Sequence, residues 1–282
     1  MNDFKALVFQ NPMLIDMKRA YRRFFGVSRM KAMNAAVLVL ACILYGILIL
    51  ITVAYRTAFS PQALVHVQTF LICFTVPSVM HGAIAAEREK RTWDLLLVAP
   101  VSNAQIVIGK FIGGVVTLFA VVGLMLIPTL IAFDPNGSVD FMSLLKSEVV
   151  SIFFGVLLVA LSLTVSARTK RTYSAQIGIY GLLVMALIVW PILAAAMGSQ
   201  GIEPLLHFLN PFYAIAEVWN QDVSSYNYEP YTSMHTEYRG LYNGWIHMIL
   251  YSILTSVLLM FTIAKLKALD DEGVGRRGNA KS

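Results

Sequence analysis

The residues able to do chemistry are few. Six charged side chains fall between Glu87 and Asp94, at the head of the stretch EREKRTWDLLLVAPVSNAQIVIGK (87–110). Elsewhere the chain offers five histidines, two cysteines and a carboxylate, Glu148, beside a long apolar run. The histidines are His66, His81, His207, His235 and His247. No His-x-x-x-His or Glu-x-x-His spacing relates them, the spacings that place two groups on one helix face. His66 and His247 fall near the outer ends of two apolar runs, which fits a haem or metal pair, with interfacial placement the ordinary alternative. His81 reads as a polar packing residue. Cys42 and Cys73 lie inside apolar runs, where a thiol packs as a small apolar group, and two are too few for a disulfide scaffold. Gly109-Lys110 is followed by Phe111, and Ala104 stands where a phosphate loop needs its first glycine. The chain therefore carries no ATP site of its own, and no metal or catalytic residue is assigned.

The elements that must position these groups are overwhelmingly apolar. Of 282 residues, 57% are hydrophobic and 13% charged, about half the ~25% charge of an ordinary soluble domain. So little charge cannot cover a water-facing surface, and a bilayer is the solvent that fits. Six runs reach the ~20 mostly apolar residues of a spanning helix: 32–55, 61–86, 105–133, 147–167, 173–197 and 241–264. The predicted fold class is all-α, a polytopic bundle of six transmembrane helices. The first run starts too late and is too long to be the core of a secretory leader.

Lysine and arginine set the orientation. Segments 1–31, 87–110, 168–171 and 265–282 hold 19 of the 22; only Arg56, Lys146 and Arg239 fall on the other side. Both termini are predicted to be cytoplasmic, in the cytoplasmic membrane. The net charge of +6 thus follows topology, and no nucleic-acid partner is expected. Residues 12–33 are amphipathic: Met13, Met17, Tyr21, Phe24 and Phe25 recur at helical spacing, with Lys18, Arg19, Arg22 and Arg23 between them. Either a helix lies there in the headgroup layer against membrane lipid, or the segment is a plain basic flank. The chain divides into a cytoplasmic N-terminus (1–31), a membrane domain (32–266) and a cytoplasmic tail (267–282), whose end DDEGVGRRGNAKS reads as solvated and mobile. The long outer loop, 198–240, contains GIEPLLHFLNPFYAIAEVWN, apolar enough to return toward the membrane as a short helix. Its tyrosines and tryptophans fit interfacial anchors or a substrate-stacking surface.

The charged stretch exceeds what a connection needs. Trp93, Leu96, Leu97 and Pro100 follow at i, i+3, i+4 and i+7, one face of a short helix. Pro100 ends it, because its ring disfavours helical geometry at Ala99. Ser102 then caps the next helix. A cytoplasmic knob with an apolar centre ringed by charge has the layout of an interface core; a topology-setting loop lying on lipid is the other reading.

The same stretch resembles the signature of ABC-2-type transporter permeases: an acid, a basic cluster, Gly-Thr, an acid before Leu-Leu, Pro-Val/Leu-Ser, then Gly-Lys. The matches are Glu87, Arg88, Thr92, Asp94, Leu95, Leu96, Pro100, Val101, Ser102, Gly109 and Lys110. Arg91 occupies the usual glycine position, and Asp94 replaces the commoner glutamate. NPMLIDMKRAYRR is similar to the family's cytoplasmic elbow, SARTKRTYSAQIG to the turn between helices four and five, and LNPFYAIAEVW to the segment before helix six. The resemblance covers about residues 11–267. It implies a transport subunit and no enzyme, paired with a second copy or a similar subunit above two ATPase subunits. Those partners bind the ATP and magnesium, and this chain needs no cofactor. It implies a coupling helix at 87–102 seated in the ATPase, with Glu87, Arg88, Thr92, Trp93, Asp94, Leu96, Leu97 and Pro100 as contact residues. Export of a hydrophobic or amphipathic substrate is the implied direction.

No Asp, Glu, Lys or Arg falls at mid-membrane depth in the six runs, which disfavours a carrier driven by protons or sodium. Glu148 is expected at the outer interface, paired with Lys146. Two rival readings stand beside transport: a haem- or metal-binding redox subunit, and a membrane anchor that recruits an ATPase without transporting.

Overall fold

The computed structural model describes residues 43, 45–54, 60–93, 101–133, 140–197, 209–220 and 244–279. Among them every regular element is helical. α1 is Tyr45–Ala54, α2 Pro61–Met80, α3 Ala85–Glu89, α4 Asn103–Ala132 and α5 Phe141–Arg168. α6, Thr172–Val184, passes through a π-helical turn, Met185–Val189, into α7, Trp190–Met197. α8 is Pro211–Asn220 and α9 is Trp245–Asn279. Among the described residues five helical stretches are long and apolar enough to cross a membrane, carried by α2, α4, α5, the α6–α7 pair and α9. They coincide with runs two to six. Only α1, shorter and apolar, represents the first run; the segment 12–33 lies outside the described residues.

Local chemistry sets the helix starts. Ser60 accepts from the Ala63 amide at 3.2 Å with proline at the first helical position of α2, a cap with a preorganised φ. At α4 Ser102 accepts from the Gln105 amide and the Gln105 side chain returns a bond to the Ser102 amide, at 3.2 and 2.8 Å. This is a capping box, so the predicted Ser102 cap is present.

Two boundaries differ from the sequence reading. α5 begins at Phe141, six residues before the expected start at 147. Lys146 and Glu148 lower the local hydropathy, yet both lie within the helix. α9 runs on to Asn279, through the stretch expected to be a mobile tail. It contains no proline, and a helix already nucleated extends at one hydrogen bond per residue.

α5 is the central post. It packs against α2, α4, α6, α8 and α9, and its buried residues include Ser143, Ser147, Ser151, Gly155, Ser162 and Ser166. Small residues let backbones approach where lipid supplies no hydrophobic drive between helices. A Cβ on Gly155 would meet the Leu118 side chain of α4 and, at 3.2 Å, that of Ile72 on α2. Thr164 and Thr262 join α5 to α9 through a 2.9 Å bond between hydroxyls.

Candidate functional site

The charged stretch is held at one end of the bundle, where α2, α5 and α9 finish and α4 and α6 begin. Three consecutive residues of α3 each fasten a different helix. Glu87 Oε1 pairs with Lys110 Nζ of α4 at 2.7 Å, and Lys110 also donates to the Ala83 carbonyl at 2.5 Å. Arg88 Nη1 donates to the Ala167 and Thr169 carbonyls at 3.0 and 3.1 Å, covering acceptors that the end of α5 leaves open. Glu89 Oε2 accepts from the amide and hydroxyl of Thr172 at 3.0 and 2.7 Å. α6 has no side-chain cap from its own N-cap residue, Arg171; Glu89 supplies an acceptor and a negative charge to its first turn.

The turn before α3 is stitched to α5 by Ser166. Its hydroxyl accepts from the Ile84 and Ala85 amides at 3.0 and 2.9 Å and donates to the His81 carbonyl at 2.8 Å. His81 Nδ1 lies 3.2 Å from the Pro77 carbonyl, in keeping with a polar packing residue.

α3 stops at a Schellman motif. The Arg91 amide donates to the Arg88 carbonyl at 3.2 Å, and the Thr92 amide to Glu87 at 2.9 Å, the 5→2 and 6→1 pattern. Thr92 Oγ1 adds a bond to the same Glu87 carbonyl at 3.2 Å. Arg91 has φ +55°, the left-handed conformation that favours glycine. It is the position where the ABC-2 signature places glycine. The expected continuous helix over 87–102 is therefore corrected: Glu87 and Arg88 belong to α3, Thr92 closes the turn, and helical geometry resumes at Trp93.

Trp93 is 8% exposed and belongs to the buried core cluster. Of the eight expected contact residues, Glu87, Arg88, Thr92 and Trp93 thus bond or pack within this chain and build the base of the segment that follows. Asp94, Leu96, Leu97 and Pro100 lie outside the described residues.

The opposite end carries the other titratable groups. α8, part of the long loop, inserts Ala214, Ile215, Val218 and Trp219 into the core against α5 and α2. His66 of α2 stacks on Phe212 of α8 with ring centroids 6.0 Å apart. Buried His247 of α9 places Nε2 3.2 Å from Glu217 Oε2 of α8. The two histidines flagged as a possible haem or metal pair each hold α8, and no group of three or more His, Cys, Asp or Glu gathers among the described residues. Glu148, expected at the outer interface, is buried within the bundle. It is 5% exposed, and its Oε2 accepts from Gln68 Nε2 of α2 at 2.6 Å. Oε1 of Glu148 and Oε1 of Gln68 are buried without a partner, beside Thr69 and Ser151, whose hydroxyls lie 3.0 Å apart. Sequence reasoning missed this cluster; Gln68, well inside an apolar run, was its signal.

Residues 52–270 match the family model described as ABC-2 family transporter protein. No curated protein matches the chain.

Proposed function

The chain belongs to the ABC-2 family of transporter proteins, and we propose that it is the permease subunit of an ATP-binding cassette exporter. In this reading two such chains form the pathway in a cytoplasmic membrane, two separate ATPase subunits dock at the basic end, and the cargo is hydrophobic or amphipathic. The observation that carries the mechanism is the triple attachment of α3. Glu87, Arg88 and Glu89 bind α4, α5 and the start of α6 respectively. A displacement of the adjoining segment 94–100 therefore reaches three helices through one rigid turn. Nucleotide shifts the bundle only by as much as it favours one arrangement of the ATPase pair over the other. Asp94, Leu96, Leu97 and Pro100 make the ATPase contact, on a base set by Thr92 and Trp93.

Reconstitution with the partner ATPase separates docking from transmission. Leu96→Ala with Leu97→Ala is expected to weaken ATPase binding by tenfold or more, as for loss of interface-centre contacts at ~1–2 kcal/mol each. Arg88→Ala is expected to leave binding intact while substrate flux per ATP hydrolysed falls. Normal binding and flux in the first variant would reject the docking segment. ATPase recruitment without flux of any hydrophobic cargo would instead support a non-transporting anchor.

A further inference from the structure

An open groove of about 550 Å³ lies between the end of α5 and the middle of α9, lined by Arg168, Phe261, Ala264, Lys265 and Ala268. Its chemistry is divided. Phe261 is 55% exposed and Ala264 and Ala268 present small exposed methyls, so one wall is apolar. Arg168 and Lys265 supply the other wall with two cations. Neither forms an ion pair among the described residues, and two acids of α3 at this end are engaged elsewhere, Glu87 by Lys110 and Glu89 by Thr172. Arg168 is the last residue of α5, so the cations sit where the apolar belt gives way to the basic rim.

We propose that this groove binds one anionic phospholipid of the adjacent leaflet, its phosphate held between Arg168 and Lys265 and its chains lying along Phe261, Ala264 and Ala268. Two cations that form no ion pair among the described residues, beside an apolar wall at headgroup depth, complement a diester phosphate carried on hydrocarbon. Paired basic groups between helices at this level are the general form of an anionic-headgroup site. The small side chains matter as much as the charges: at Ala264 and Ala268 a larger residue would fill the space beside Phe261. The inference requires only that the bundle sits in a membrane, and holds whether or not the chain exports anything.

Native mass spectrometry of the full chain, released from nanodiscs of phosphatidylglycerol and phosphatidylcholine, reads the site directly. Wild type is expected to retain one phosphatidylglycerol per chain in preference to phosphatidylcholine. Arg168→Gln with Lys265→Gln is expected to retain it roughly 30-fold less, the loss of two near-surface charges. Lys170→Gln with Lys267→Gln removes two exposed cations from the same end but not from the groove, and should retain it as wild type does. Ala264→Trp keeps both cations, blocks the apolar wall, and should also lose the lipid; it decides the matter if the charge variant does not fold. Equal retention of the two lipids, equal loss in the Lys170/Lys267 control, or displacement by inorganic phosphate would each overturn the proposal, the last by assigning the groove to a soluble anion.

Discussion

At Arg91 one dihedral angle explains a departure in the sequence. A left-handed φ of +55° brings the β-carbon close to the following carbonyl, at a cost of ~1–2 kcal/mol for a side-chain-bearing residue. Glycine avoids that cost but loses more freedom on folding, so Arg91→Gly is expected to raise stability by a modest amount, up to ~1 kcal/mol. Arg91→Val should lower it, since a β-branched residue tolerates positive φ least. Thermal unfolding of the detergent-solubilised chain orders the three. Valine at or above wild type would show that residue 91 does not occupy this conformation. The sequence marked the spot only as an unusual arginine in a glycine position; the Schellman turn supplies the reason. Glu148 shows the opposite case. With α5 taken to start at 147, it stood in the first turn. From Phe141 it lies seven residues farther in, ~10 Å along the axis, and Gln68, likewise seven residues into α2, meets it there.

α3 spans five residues, far below the length at which a helix is stable alone. Its existence depends on tethers, and Ser166 is the one that cannot be replaced by water. Ser166 is fully buried, and its hydroxyl is the acceptor for two amides. Ser166→Ala is expected to destabilise the bundle by about 1–3 kcal/mol for the unpaired buried donors. It should also speed tryptic cleavage at Lys90 and Arg91, as α3 loosens from α5. Thr172→Ala, which touches the exposed carboxylate of Glu89, should cost less on both readouts. A silent Ser166→Ala would mean that α3 is held chiefly by Glu87, Arg88 and Glu89. Hydropathy displayed the long helices well, because twenty apolar residues have few other uses. It could not display α3 or the seam of α5. There the serines count as dips in an average, while their function depends on the face they occupy.

For the whole molecule, the distribution of charge and the distribution of helix ends give the same polarity. The described end that gathers α3, the close of α5 and the start of α6 carries Arg88, Lys90, Arg168, Lys170 and Arg171. By the positive-inside rule it is expected to face the cytoplasm. The short member of the set is α8: at ten residues it reaches ~15 Å, half the ~30 Å hydrocarbon core. Wedged against α5 and α2, it should leave and re-enter on one side. Between Lys90 and Lys267 the chain then crosses four times, through α4, α5, the α6–α7 pair and α9, whereas between Lys90 and Asp140 it crosses once. Single cysteines at these three exposed positions test the scheme with a membrane-impermeant thiol reagent. Lys90→Cys and Lys267→Cys should react only in inside-out vesicles, and Asp140→Cys only in right-side-out ones. Reaction of the first two from opposite faces would require a fifth crossing between them and turn α8 from a wedge into part of a span. With residue 90 labelled from outside, the charged stretch would be out of reach of any nucleotide-driven partner.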